Sequence, residues 1–209
     1  MPVTTGALLD RLEAVLREQD GFVTTQQAER LGVRRPKLSA LVRSGELESV
    51  MRSVYVLAKR KPMPRVDERT YAAWLALDGQ RLPWERTEPI VVVSHASAAR
   101  LHRLGTLPDD RIEMTCTERR TTTVPSIRLH VAPLDELDWT WGMDRRVMLT
   151  TPARTIADLA VSPIERGYVI DAMEDAVARH LTTVEDVIAA TVRRSPRRVA
   201  ATSRLLGCR

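Results

Sequence analysis

The 209-residue chain is 44% apolar but only 4% aromatic, enough for one large or two small cores built mainly from Leu, Val, Ile and Ala. Its net charge of +5 is unevenly spread, +5 over residues 1–66, −6 over 67–190 and +6 over 191–209, as suits a protein whose ends meet a polyanion or, equally, an ordinary solvated surface. No apolar run approaches a membrane span, no leader pattern opens the chain, and Cys116 and Cys208 stand too far apart for a disulfide framework or metal cluster; a soluble cytoplasmic protein with reduced thiols, no metal and no cofactor is expected.

Leu8, Leu9, Leu12, Val15 and Leu16 recur at helical spacing and predict an amphipathic helix ending before the turn pair Asp20 and Gly21. Phe22 and Val23 form a short apolar step. Thr24 opens a second helix, with Gln27 completing a capping box, and Gly32 closes it. Pro36 suits the first position of a third helix that buries Leu38, Leu41 and Val42 and stops at Ser44 and Gly45. Residues 47–50 and 54–57 read as two strands joined at 51–53, the place of a wing.

The charged, proline-punctuated segment 59–64 marks the domain boundary, separating a winged helix-turn-helix at 1–60 from a second domain at 67–209. In that second domain, a helix around Tyr71, Trp74, Leu75 and Leu77 closes at Gly79, and residues 90–93 form a buried strand. Ser94 caps a helix running to Leu104. Strands are expected at Ile112–Cys116, Ile127–Val131 and 147–149, a helix from Thr151 and Pro152, and helical stretches at 163–180, 183–193 and 196–206. The fold class is α+β, a winged helix-turn-helix followed by a mixed domain with a helical C-terminal end.

The third helix carries the chemistry. Outside its buried positions it presents Arg34, Arg35, Lys37, Ser39 and Arg43, with no acid from Val33 to Gly45. A recognition helix enters the major groove N-terminus first, and Arg or Lys there can donate to guanine O6 and N7. Arg52 at the wing tip would reach the backbone or adjoining minor groove, and Lys59, Arg60 and Lys61 would add phosphate contacts. The partner expected is double-stranded DNA. A winged helix that binds protein instead, as an adaptor, stays open on these residues.

In order and spacing, GFVTTQQA (21–28), LGV (31–33), LVRSGELE (41–48) and SVYVL (53–57) resemble the N-terminal domain of AbiEi-type antitoxins. VSHASAARLHRLG (93–105) and LTTPARTIADLA (149–160) resemble that family's C-terminal domain. The likeness spans most of residues 5–190 and points to a mycobacterial member. It implies the antitoxin of a type IV toxin–antitoxin module, which represses its own operon at inverted repeats and opposes a nucleotidyltransferase toxin. It also makes Arg154 and Asp158 antitoxin candidates. Two positions depart from the family pattern: Arg35 stands before Pro36 where Ser or Thr is frequent, and Ser53 occupies the wing turn where Gly is frequent.

Other signals point elsewhere. His95 and His102, seven apart on one helix, lack a third metal ligand at suitable spacing. Asp109, Asp110, Glu113 and Glu118 around a strand admit a nuclease as the alternative, although Arg119 and Arg120 stand where its lysine is expected. No catalytic constellation is complete, so a non-enzyme is expected. Arg154 and Asp158, four apart on a helix, most simply form a local ion pair or tie that helix to the sheet. Trp139 and Trp141 read as core, and Arg193, Arg194, Arg197 and Arg198 as a basic tail, either a solvated face or a surface for nucleic acid or the acidic middle domain.

Overall fold

The apolar stripe through Leu8, Leu12, Val15 and Leu16 folds as α1 (Thr5–Glu18), with all four side chains buried. In the computed structural model, which describes residues 5–61, 65–108 and 110–207, two units separate, Met1–Pro89 and Ile90–Arg209. Pro62 to Pro64, Asp109 and Cys208 lie outside the described residues.

In the first unit, Phe22 and Val23 belong to a true strand, β1 (Phe22–Thr24), buried at every position. It is followed by α2 (Thr25–Arg30), α3 (Arg35–Arg43), β2 (Leu47–Met51) and β3 (Val54–Leu57). The antiparallel sheet runs β1-β3-β2, so the wing hairpin is anchored by a third strand, with Val23 opposite Tyr55. A bulge shifts the register between Ser49 and Met51. The expected capping box is present: Thr24 Oγ1 accepts from the Gln27 amide at 3.1 Å, and Gln27 Oε1 accepts from the Thr24 amide at 3.0 Å. Gly32, at φ +79°, ends α2 in the left-handed conformation glycine tolerates. Pro36 falls at the second rather than the first position of α3.

The domain boundary lies at residues 89/90, not at 59–64. Helix α4 (Arg65–Leu77) and the loop after it fold back on the winged helix because their apolar and polar groups are completed there. Tyr71 meets the Phe22 ring edge-on at 5.0 Å, and Leu82 joins the core of Leu12, Leu38 and Leu41. Gln27 Nε2 donates to Arg81 O (2.7 Å) and Arg86 to Gln19 Oε1 (2.8 Å), while the Thr24 hydroxyl donates to Gly79 O. A cut at residue 60 would strip these buried polar groups of partners, at roughly 1–3 kcal/mol each.

The second unit is a mixed five-stranded sheet, β4 (Val91–Val93), β5 (Ile112–Cys116), β6 (Ile127–Val131), β7 (Trp139–Gly142) and β8 (Val147–Thr150), in the order β6-β5-β4-β8-β7. Pairs β4–β8 and β5–β6 are parallel, the others antiparallel. β4 leads into α5 (His95–His102) and β8 into α6 (Pro152–Ala160); α7 (Arg166–Ala178), α8 (Val184–Arg194) and α9 (Val199–Leu205) complete the expected helical end. Ala99, Leu104, Ile156, Leu159, Val169 and Ala172 form its helical core. Trp139 and Trp141 do not join a core: both are half-buried on edge strand β7, and Arg145 lies over the Trp141 ring at 5.4 Å. Among the described residues, no helix is long and apolar enough to cross a membrane.

Candidate nucleic-acid interface

Helix α3 is pinned from below and open from above. Val33, Leu38 and Leu41 are buried, whereas Arg34, Arg35, Lys37, Ser39 and Arg43 are exposed and make no side-chain hydrogen bond or ion pair among the described residues. A buried Leu stabilises by roughly 1.5–3 kcal/mol, enough to hold the helix against what its polar face costs.

That cost is local and specific. The first turn of α3 contains no acid, and the N-cap Arg34 makes no side-chain cap bond. The positive end of the helix dipole meets the cations of Arg34, Arg35 and Lys37 there, where each opposite charge would instead stabilise by about 0.3–1 kcal/mol. The arrangement is poor for an isolated helix and well suited to a polyanion.

At the wing, Arg52 is exposed in the β2–β3 turn, and Ser53 holds φ +67°, the left-handed geometry that glycine would take without strain. The Ser53 carbonyl accepts from the Thr25 amide at 2.9 Å, which ties the wing tip to the start of α2. Lys59 and Lys61 are exposed. Arg60 is not available for phosphate: it ion-pairs with Glu68, donates to Lys61 O at 3.1 Å and lies over the Phe22 ring at 5.0 Å. It fastens α4 to the sheet, a role invisible until α4 is in place.

The second unit gathers its polar groups in two interior networks. In the first, the Thr115 hydroxyl donates to Ser94 Oγ (2.9 Å), and Ser94 Oγ shares a second hydrogen bond with His95 Nδ1 (2.8 Å). Ser94 therefore does not cap α5 with its side chain. Glu113 does so instead, accepting from the Ala96 amide at 3.1 Å and bonding His130 Nε2 at 3.1 Å. His95 stacks on His130 at 3.7 Å between centroids. Burial pushes the Glu113 carboxyl up, but the His130 bond, the nearby His95 and the Ala96 amide outweigh it and hold it at about 2. Burial, with the His130 ring beside it, pushes His95 well below the usual imidazole range. Burial also lowers His102, whose Nε2 meets Thr150 O at 2.7 Å, and raises the Cys116 thiol. Among the described residues no metal-ligating cluster forms, and Glu113 is engaged as a helix cap.

The second network contains both antitoxin candidates. Arg154 and Asp158 are fully buried, so neither can touch a partner directly. Arg154 donates to Asp158 Oδ1 (3.1 Å), Asp138 Oδ2 (2.8 Å) and Pro133 O (2.9 Å). Arg193 bonds Asp138 at 2.9 Å, and Arg194 bonds Asp158. The Arg154–Asp158 ion pair is present within α6, the link towards β7 runs instead from Arg154 to Asp138, and half of the basic tail is consumed in this network. Asp138 is its hub. Nothing in the sequence around Asp138 marks it, because its partners lie 16 and 55 residues away.

Residues 10–58 match the model of a family described as transcriptional regulator, AbiEi antitoxin. The match runs from within α1 through the wing and ends before α4. No curated protein matches the chain. Among solved structures, the crystal structure of the RV2827C protein from Mycobacterium tuberculosis is similar, at 20% identity and TM-score 0.56, over 99% of this chain and 78% of that one. At that identity the likeness shows the fold, and it extends the shared architecture through both units.

Proposed function

We propose that this chain, whose residues 10–58 match the model of the AbiEi antitoxin transcriptional regulators, is a sequence-specific duplex-DNA-binding autorepressor. It acts in the cytoplasm, without catalysis of its own, as the antitoxin of a type IV module opposing a nucleotidyltransferase toxin. The carrying observation is the exposed, acid-free face of α3, which concentrates Arg34, Arg35, Lys37, Ser39 and Arg43 over an apolar anchor. Side chains at the start of α3 would meet base edges, with Arg35 and Lys37 as guanine donors, while Arg43, Arg52, Lys59 and Lys61 would contact phosphates.

The family description supports the regulator and antitoxin roles; the autorepression and the toxin partner are our reading. Its test is retardation of the chain's own promoter fragment across a salt series. Steeply salt-dependent binding that prefers this fragment, and loses the preference in the Arg35→Ala/Arg43→Ala variant, is expected. Unchanged binding and salt slope in that variant would refute the groove assignment. For the antitoxin role, co-expression should rescue growth from a nucleotidyltransferase encoded beside it; absence of rescue by the wild-type chain counts against it.

A further inference from the structure

The four arginines of the basic tail, Arg193, Arg194, Arg197 and Arg198, and Arg204 beyond them do not behave alike. Arg193 and Arg194 turn inward to Asp138 and Asp158, whereas Arg197 and Arg198, in the 3-10 turn that leads into α9, and Arg204, in its last turn, are exposed. These three make no side-chain hydrogen bond or ion pair among the described residues. No acidic residue follows Asp186 in the sequence, so no neighbour along the chain neutralises them.

Nor are they carried on a loose tail. Helix α9 buries Thr202, and Leu205 and Leu206 pack on the core of the second unit. Arg166, at the start of α7, donates to Leu205 O at 3.0 Å and adds a further exposed guanidinium beside the end of α9. Glu165 is the neighbour of Arg166 in the chain, and Asp186 is the acid closest in sequence to Arg197. Seven residues separate Arg197 from Arg204, about two helical turns and ~10 Å, a span that faces several phosphates of a duplex, which carries one charge per about 1.7 Å of axis. Cations held on a docked helix lose little conformational freedom on meeting a polyanion beyond that of their own rotamers.

We propose that Arg197, Arg198 and Arg204 form a second, sequence-independent phosphate-contact surface on the C-terminal unit. This rests on the DNA-binding reading above. It assigns the surface a share of affinity and salt dependence but none of the base reading.

The test uses the full chain, with operator and unrelated duplexes, across a salt series. The Arg197→Gln/Arg198→Gln/Arg204→Gln variant should have a log K against log salt slope shallower by about 2.7, at about 0.9 per phosphate lost. Between 50 and 200 mM salt, its affinity should then fall about 40-fold less than that of the wild type by the same relation. Operator and unrelated duplex should be affected alike, and the corresponding Lys triple should keep the wild-type slope, because charge rather than a forked geometry is needed. An unchanged slope in a Gln triple with wild-type circular dichroism and melting overturns the surface while leaving α3 as the reader. A change confined to the operator also overturns it. A wild-type chain that retards no duplex at any salt overturns the DNA-binding reading and this surface with it. A wild-type chain that binds operator and unrelated duplex equally, with the Gln triple still shallower, refutes base reading by α3 and upholds the surface.

Discussion

Arg154 Nη1 stands 2.8 Å from Asp138 Oδ2, both side chains closed to solvent, and the pair joins α6 to the start of β7. Asp138 also holds Arg193 of α8, so one carboxylate fastens three elements. Removing one partner of such a pair strands the other's charge, at roughly 3–5 kcal/mol. Asp138→Ala should lower the stability of the C-terminal unit by that order in urea unfolding followed through Trp139 and Trp141. A loss below about 1 kcal/mol would show that the network is not what holds α8 in place.

At the start of α3, stability and function should move in opposite directions. Arg35→Glu places an acid in the first turn and should raise the stability of the N-terminal unit by a few tenths to about 1 kcal/mol. The same change should reduce operator affinity by ten-fold or more, by removing a guanine donor and adding a charge that repels phosphate. Thermal melting and a binding isotherm at one salt concentration read both. A variant that binds as well as wild type would remove Arg35 from the interface.

Arg60 and its neighbours separate the two roles within one basic run. Arg60→Ala should lower the melting temperature of the N-terminal unit, since it loses the Glu68 pair and the Phe22 ring contact, yet leave the salt slope unchanged. Lys59→Ala/Lys61→Ala should do the reverse, with a slope shallower by about 1–2 and unaltered melting. A slope change in the Arg60 variant equal to that of the lysine pair would mean that its ion pair opens on DNA.

Acid should lower the stability of the C-terminal unit in two pH windows. His95 and His102 are held neutral by burial, so the unfolded chain binds more protons than the folded one below about 6.5. Their stabilisation is complete above that value and declines as pH falls through it. Glu113, lowered from 4.5 to about 2, adds a second decline between those values, since its carboxylate is favoured only in the folded state. Melting temperature against pH should show both steps, and His102→Gln, which can still donate to Thr150 O, should shrink the upper one. A flat profile from pH 7 to 5 would contradict the burial of both rings.

Local order was legible in the sequence wherever nearest neighbours decide it. The α1 stripe, the Thr24–Gln27 box, the glycine after α2, the wing hairpin and the exposed basic face of α3 all depend on spacings within about one to four residues, and each forms as read. What the sequence could not show depends on residues far apart in the chain. The N-terminal unit extends to Pro89 because Tyr71, Arg81, Leu82 and Arg86 find partners among residues 12–41.

The arginines make the division clearest. By sequence, Arg60 matched Lys59 and Lys61, and Arg193 matched Arg197, because a guanidinium announces charge and not partner. Only tertiary contacts decide which of them is neutralised. Phe22 and Glu68 capture Arg60, and the buried carboxylates of Asp138 and Asp158 draw in Arg193 and Arg194. A buried carboxylate must be paired, so it recruits whichever cation the fold brings near. Sequence alone determined that this is a basic-ended protein with a winged helix at its front; the fold determined which of its cations remain for a partner.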